Sequence, residues 1–288
     1  MKFEYWTVAY RKRNGEKDII NNLSDEFHVI RNNWRYWYAD PHLYTFEGKT
    51  YLFAEAYDRL KRRGVISYCV LQNQAVSKWK KVLDTGSHLS YPHIFDLDGD
   101  IVMIPESYSA EEISLYKAVQ FPDKWEKKQV LATCVAVDST VFCYNNTRWL
   151  LNQQDDRLTL YRFESRKLLN ARAVGAQDMM NRPAGHLFWH NNKLLRPAQD
   201  CREGYGSALL FYDVRCVSDD SYLEELYGFV RPEDIKSDFK GTPKGMHTYN
   251  MSSDYEVIDL KCYKSDVWFY LMRPFWFIVR RIKRLINR

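Results

Sequence analysis

The sequence predicts an all-β protein, a five-bladed β-propeller followed by a C-terminal amphipathic basic helix. Two observations carry this. A short unit recurs along the chain, with heads at Asp40, Tyr91, Asp138 and Ala184, so that steps of 51, 47 and 46 residues separate successive copies. That is the length of a propeller blade. Within each unit a turn follows the head by seven residues, at Glu47-Gly48, Asp98-Gly99, Asn145-Asn146 and Asn191-Asn192. Fifteen residues after the head comes a carboxylate or amide: Glu55, Glu106, Gln153 or Gln199.

Each element follows from local pattern. Leu43–Phe46 and Tyr51–Phe53 flank Glu47-Gly48 as a strand–turn–strand signal, and Ile94-Phe95 and Ile101–Met103 do the same around Asp98-Gly99. Val65–Val70, Ser114–Lys117, Leu158–Tyr161 and Ala208–Tyr212 read as third strands, Trp79–Leu83 and Trp125–Leu131 as outer ones. A weaker fifth unit starts at His247, 63 residues after Ala184, and continues into Tyr255–Leu260. The apolar Trp6–Tyr10 segment is expected to complete that last blade and close the ring. A tandem β-sandwich is the alternative packing of the same strands.

The propeller is assigned to residues 1–264 and a separate tail to 265–288. In the tail, Phe275, Ile278, Val279, Ile282, Leu285 and Ile286 keep helical spacing, with Arg280, Arg281, Lys283, Arg284 and Arg288 between them. With Trp276 beside Phe275, this describes a helix lying on an anionic membrane surface. Docking on the propeller or on a second subunit is the other reading.

Composition narrows the function. A net charge of +5 on 288 residues is too mild to argue for nucleic acid. The six cysteines form no C-x-x-C pair, and the N-terminus lacks the apolar run of a secretory signal, so a reducing cytoplasm is expected. P-loop, G-x-G-x-x-G, G-x-S-x-G and H-E-x-x-H patterns are all missing, which removes support for the corresponding nucleotide-binding, serine-hydrolase and zinc-protease classes. No cofactor or metal is expected.

In a propeller the innermost strands surround one axis, so equivalent polar positions meet at a common mouth. That gathers Asp40, His42, His93, Asp138, Arg182, His186 and His247, with Glu55, Glu106, Gln153 and Gln199 as a second ring. Carboxylates facing one another have their pKa values pushed apart, which makes one a base and another an acid. Asp40, Glu106 and Asp138 are the expected catalytic trio, with Glu55 a competitor for the acid role. Asx turns are the plain alternative for Asp40 and Asp138. The fourth unit adds Arg196, Asp200, Arg202 and Tyr205, residues suited to an anionic or polyhydroxylated ligand.

Ala39-Asp40-Pro41, Tyr51-Leu-Phe53 with Glu55, His88-Leu-Ser-Tyr-Pro92, Ile104-Pro-Glu-Ser107, Asp138-Ser-Thr140, Arg182-Pro-Ala-Gly185 and Arg196–Cys201 with Tyr205-Gly206 together resemble the N-terminal propeller domain of plant glucosamine inositolphosphorylceramide transferases and its stand-alone bacterial relatives. The resemblance spans roughly residues 36–260. It implies a five-bladed propeller similar to furanosidase-like glycoside hydrolases. By that likeness Asp40 stands as base or nucleophile, Asp138 as the residue that tunes pKa, and Glu106 as general acid.

These readings lead to a membrane-associated glycosyltransferase of cell-surface polysaccharide synthesis, of the capsule or lipopolysaccharide kind. Its partners would be a nucleotide-sugar or phospho-sugar donor, a glycan or lipid-linked acceptor and the inner face of the plasma membrane, with no nucleic acid. Arg182, Arg196 and Arg202 would hold donor phosphates. A glycoside hydrolase or phosphorylase, and a non-catalytic sugar-binding module, are the alternatives.

Overall fold

A computed structural model describes residues 2–13, 15, 17–73, 75–175, 180–265 and 271. The chain forms five antiparallel sheets in sequence order, a five-bladed β-propeller. Blade one is built from Tyr36–Phe46, Lys49–Asp58, Arg63–Gln72 and the outer pieces Ala75–Val76 and Lys80–Leu83. Blade two comprises Ser90–Leu97, Asp100–Glu106, Glu112–Gln120 and Lys124–Thr133. Blade three runs through Val137–Tyr144, Thr147–Gln154, Arg157–Glu164 and Lys167–Val174, and blade four through Phe188–His190, Lys193–Asp200, Ala208–Val217 and Tyr222–Val230.

Blade five is shared between the chain's two ends. Tyr249–Met251 and Tyr255–Lys264 are completed by Phe3–Lys12 and His28–Val29. Phe3 pairs with Lys264 and Lys12 with Tyr255 in one unbroken antiparallel register, which closes the ring as Trp6–Tyr10 led us to expect. Closure leaves the inner edge of each blade short and turned to the axis, where an open array would expose it.

The repeat is legible in the backbone. Glu47, Asp98, Asn145 and Asn191 all have positive φ, as do the Gly or Asn residues that follow them, so each first hairpin turns in the geometry that matches strand twist. Each of the five apolar clusters joins two adjacent blades: Phe53, Ile66, Ile94 and Met103 between blades one and two, for example, and Leu195, Phe211, Ile258 and Leu260 between four and five. The core is thus a ring of interfaces rather than one centre. All six cysteines are free thiols. No helix among the described residues is long and apolar enough to cross a membrane. The predicted tail helix, with Phe275, Trp276, Ile278, Arg280, Arg281, Lys283 and Arg284, lies outside the described residues.

Candidate active site at the propeller axis

A bulge at the head of each repeat builds the site. Ala39 pairs with Glu55 and His42 with Phe53, so Asp40 and Pro41 together face one residue of the neighbouring strand. The same shift falls between Ser90 and His93 and between Val137 and Thr140. Asp40, Tyr91 and Asp138 sit inside these bulges with φ of 50°, 41° and 54°. An extra residue bends the strand and re-aims its side chain, and here three such side chains turn toward the axis. Residues fifteen positions after the heads pair just ahead of the bulge: Glu55 with Ala39, Glu106 with Ser90, Gln153 with Val137. Gln199 occupies the corresponding place through its N–H to Arg182 O.

The mouth therefore collects carboxyl groups in a buried setting, and a few cations hold them. Arg182 Nε donates to Asp138 Oδ2 at 2.5 Å, and its Nη2 reaches Glu106 Oε2 at 3.3 Å. Gln199 Nε2 donates to the same Asp138 oxygen at 2.9 Å, which leaves Oδ1 of Asp138 buried without a hydrogen-bond partner. Tyr205 covers this group from above, its ring 5.3 Å from the Arg182 guanidinium.

Asp40 is held differently. Thr248 Oγ1 donates to its Oδ1 at 2.9 Å and the Tyr91 N–H to its Oδ2 at 3.2 Å. His247 spans two acids, with Nε2 3.2 Å from Asp40 Oδ1 and Nδ1 2.8 Å from Asp259 Oδ2. Asp259 Oδ2 also accepts the Asp40 N–H at 3.0 Å. Trp6 lies against the imidazole, ring centroids 4.0 Å apart.

Electrostatics divide the carboxyls into two kinds. Burial works to raise Asp40, yet the His247 charge and hydrogen bonds from His247 and Thr248 outweigh it and hold the group well below its usual range. Burial also works against a charged His247, and the Asp259 and Asp40 carboxylates overcome it, so the imidazolium persists far above its ordinary pKa. Glu106 goes the other way. Burial and the adjacent Asp138 push it well above the usual carboxyl range, despite Arg182. Glu55 rises for the same first reason, with Asp40 and Glu106 adding repulsion. One mouth thus holds an aspartate driven toward the ionised form and two glutamates driven toward the protonated form.

Below the mouth the axis is closed by Tyr91, which is fully buried and spans three blades. Its hydroxyl meets Thr140 Oγ1 at 2.7 Å and accepts the Gly185 N–H at 2.7 Å. Gly185 is needed there: its φ is 142°, and a Cβ would come within 1.8 Å of Tyr249 O. Asn250 ties blade five to blades one and four through Pro41 O and the His186 N–H, both at 2.7 Å.

His42, His93 and His186 gather beside Tyr91, with one ring nitrogen of each within 4.8 Å of the others. Burial drives all three toward the neutral form, His42 to about 4. His42 Nδ1 faces Asp40 O at 3.2 Å, so its Nε2 presents a lone pair. His93 Nε2 accepts the Val141 N–H at 2.9 Å, which places the His93 proton on Nδ1. A cage that presents an N–H as well as a lone pair suits a polar molecule on the axis better than a cation.

The fourth-unit residues separate. Arg182, Gln199 and Tyr205 join the mouth. Arg196 does not: it is buried within blade four, Nε and Nη2 on the two oxygens of Glu224 at 2.7 and 2.6 Å, Nη1 on Asn181 O, and its guanidinium over Tyr212. With its donors so engaged it braces strands, and the expectation of a phosphate-holding fork at this position is corrected. Asp200 and Arg202 bond each other on a rim cleft of about 870 Å³ that also includes Arg231 and Lys244.

Three residues at the mouth stand outside the predicted set. Thr248 and Asp259 hold Asp40 and His247. His88 accepts the Gly64 N–H on Nδ1, so its Nε2 carries the proton and lies 3.6 Å from Glu55 Oε1. Its signal in the sequence was its position two residues ahead of the strand that carries Tyr91. Asp259 had none at the repeat offset, because it follows His247 by twelve residues rather than fifteen.

Comparisons with known proteins agree with this architecture. The profile of the family described as "Glucosamine inositolphosphorylceramide transferase 1, N-terminal" matches residues 30–273. The Arabidopsis thaliana protein glucosamine inositolphosphorylceramide transferase 1 is 28% identical over 204 residues, covering 65% of this chain and 26% of that protein. Its counterpart from Oryza sativa subsp. indica is 26% identical over 254 residues, 81% of this chain and 32% of the relative. The chain therefore spans about a quarter to a third of the length of these relatives.

Among solved structures, the catalytic domain of Coprinopsis cinerea GH62 α-L-arabinofuranosidase superposes with a TM-score of 0.58 at 9% identity, over 88% of this chain and 97% of that one. A GH43_1 enzyme from Xanthomonas citri complexed with xylotriose gives a TM-score of 0.58 at 12% identity, over 81% and 89%. These likenesses are likenesses of fold. Together, the repeat, the closed ring and the matched profile show that the chain belongs to the family of the N-terminal domain of glucosamine inositolphosphorylceramide transferases.

Proposed function

We propose that the axial mouth is the active site of a glycosyltransferase that moves a sugar from an activated donor to a hydroxyl acceptor. The observation that supports this best is the pairing of an ionised Asp40 with a protonated Glu106 around one mouth, since two carboxyls driven to opposite protonation states are the apparatus of glycosyl transfer. Asp40 takes the proton of the acceptor hydroxyl as that oxygen bonds to the anomeric carbon. Glu106 gives its proton to the departing oxygen as the old glycosidic bond breaks. Afterwards the two exchange protons with solvent and return to the starting state. Asp138, clamped by Arg182 and Gln199, keeps Glu106 protonated by its charge. Arg182 also offers positive charge to a phosphate of the donor, a role we do not extend to Arg196.

A second reading has a specific observation in its favour. An unactivated glycosidic oxygen depends most on a proton from Glu106 in order to leave, whereas a phosphate leaving group depends on it least. With water in the acceptor's place, the same two carboxyls perform hydrolysis. A membrane-facing setting and a place in capsule or lipopolysaccharide assembly belong to the same proposal, the first suggested by the alternating apolar and basic residues of 275–288, the second by the family resemblance.

The test is product analysis. The protein is incubated with a panel of nucleotide sugars, sugar phosphates and oligosaccharides, with lipid-linked and free-glycan acceptors present. Mass spectrometry showing a sugar joined to an acceptor supports transfer. Free reducing sugar alone moves the assignment to hydrolysis, and binding without either product leaves a sugar-binding module.

A further inference from the structure

A cleft of about 700 Å³ opens on the flank of the propeller between blades five and one, and it shares no residue with the axial mouth. Its floor is firm. Ile30 and Tyr38 belong to the buried apolar cluster that joins these two blades, with Val76 and Trp79 packed against it. Trp79 stacks on Tyr38 with centroids 4.2 Å apart and planes 10° from parallel, so the two rings cover the faces they share.

Two polar groups of this floor are donors. The Trp79 indole N–H is buried and has no hydrogen-bond partner among the described residues, and an indole can only donate. The Tyr38 hydroxyl accepts from Asn33 Nδ2 at 3.2 Å, which leaves its own proton to give.

Charge points the same way. His28 and Arg31 come from the blade-five side, Lys78 and Lys81 from the blade-one side, and the lining contains no Asp or Glu. Two carboxylates stand nearby, both engaged. Asp84 accepts from Lys81 at 3.1 Å, but also from Lys61 and Arg63, so three cations share one acid. Asp238 faces His28 at 3.4 Å and accepts the Val29 N–H at 2.7 Å. Arg31 and Lys78 are exposed, and among the described residues their side chains make no hydrogen bond or ion pair. Donors and positive charge without a carboxylate fit oxygens that only accept, those of a phosphate above all. The volume is that of a small-molecule site, more than a bare anion needs.

We propose that this cleft binds a phosphorylated sugar, its phosphate met by Arg31 and Lys78 and its ring lying over the Tyr38–Trp79 floor. The phosphate part rests on the cleft's own charges, and the sugar part on the carbohydrate reading of the family. Neither depends on whether the axial site transfers or hydrolyses. The site gives the protein a hold on a charged sugar at a point separate from the reacting carboxyls.

The test follows the Trp79 indole N–H by heteronuclear NMR on the whole chain, its resonance assigned with Trp79→Phe. Glucose 1-phosphate, glucose and inorganic phosphate are titrated separately. Glucose 1-phosphate is expected to shift the Trp79 resonance saturably and to bind more tightly than either glucose or phosphate. Arg31→Gln combined with Lys78→Gln, two exposed changes that break no ion pair among the described residues, is expected to weaken glucose 1-phosphate about tenfold. Three results overturn the proposal: a Trp79 resonance unmoved by glucose 1-phosphate, an affinity indifferent to the double variant, or equal affinity for glucose or phosphate alone. The same titration on Glu106→Gln separates this site from the axial reading, because Trp79 is expected to respond there as in wild type. A response lost with Glu106 would trace the shift to the mouth and overturn the proposal as well.

Discussion

His247 holds Asp40 and Asp259 together, one imidazole nitrogen 3.2 Å from the first and the other 2.8 Å from the second. A single buried cation thus compensates two buried carboxylates and links the first blade to the last. Removing one partner of such a network strands the rest in a poorly solvating interior.

His247→Gln is therefore expected to cost about 3–5 kcal/mol in denaturant unfolding. The pH dependence has a definite sign. Asp40 is depressed, so its contribution is full above its ordinary 3.8 and is lost as pH falls through the folded value. His247 is raised, so its contribution is full below its ordinary 6.5 and is lost as pH rises through the folded value. The advantage of wild type over the variant is thus greatest between these two ordinary values. Unfolding curves at a series of pH values check it.

Glu55 predicts the opposite slope. It is buried, its Oε1 has no hydrogen-bond partner, and burial with Asp40 and Glu106 raises its pKa. A carboxyl that binds its proton more tightly when folded loses stability as pH rises above its ordinary 4.5. Glu55→Gln is expected to match wild type near pH 4 and to gain on it at higher pH, by up to about 1.4 kcal/mol per pH unit within the window. Thermal melts at pH 4, 6 and 8 measure this.

Gly185→Ala tests the axial plug. The added methyl would meet Tyr249 O at 1.8 Å in a backbone conformation that L-residues rarely adopt. A loss of about 3 kcal/mol or more is expected. Because Gly185 also donates to the Tyr91 hydroxyl, activity at the mouth should fall with stability.

Arg182→Lys separates charge from geometry. The guanidinium serves Asp138 and Glu106 with two different nitrogens, which one ammonium on a flexible stem does not reproduce. Turnover is expected to drop about 100-fold while the melting temperature moves by only a few degrees. Steady-state kinetics alongside calorimetry check the split.

Much of this was legible in the sequence because the repeat constrains it. Asp40, Tyr91 and Asp138 stand at one offset, and that offset fixed both the bulges and the second ring of Glu55, Glu106, Gln153 and Gln199. The expectation failed where composition stood in for position. Arg196 shares its Arg-Pro-Ala setting with Arg182, yet it lies within the strand run, and the strand carries its side chain outward to Glu224. Asp259 was hidden because the blade-five hairpin is short: Tyr249 already pairs with Ile258, so the acid arrives three residues early.

The central claim is that Glu106 works as an acid in sugar chemistry at the axis. The most direct measurement compares product formation by wild type and Glu106→Gln on whichever donor and acceptor the panel identifies, with melting curves confirming that the variant is folded. The amide keeps the shape and loses the proton, so a drop of at least about 100-fold is expected, smallest for donors whose leaving group needs no protonation. A folded Glu106→Gln that turns over at the wild-type rate on every substrate would contradict the account.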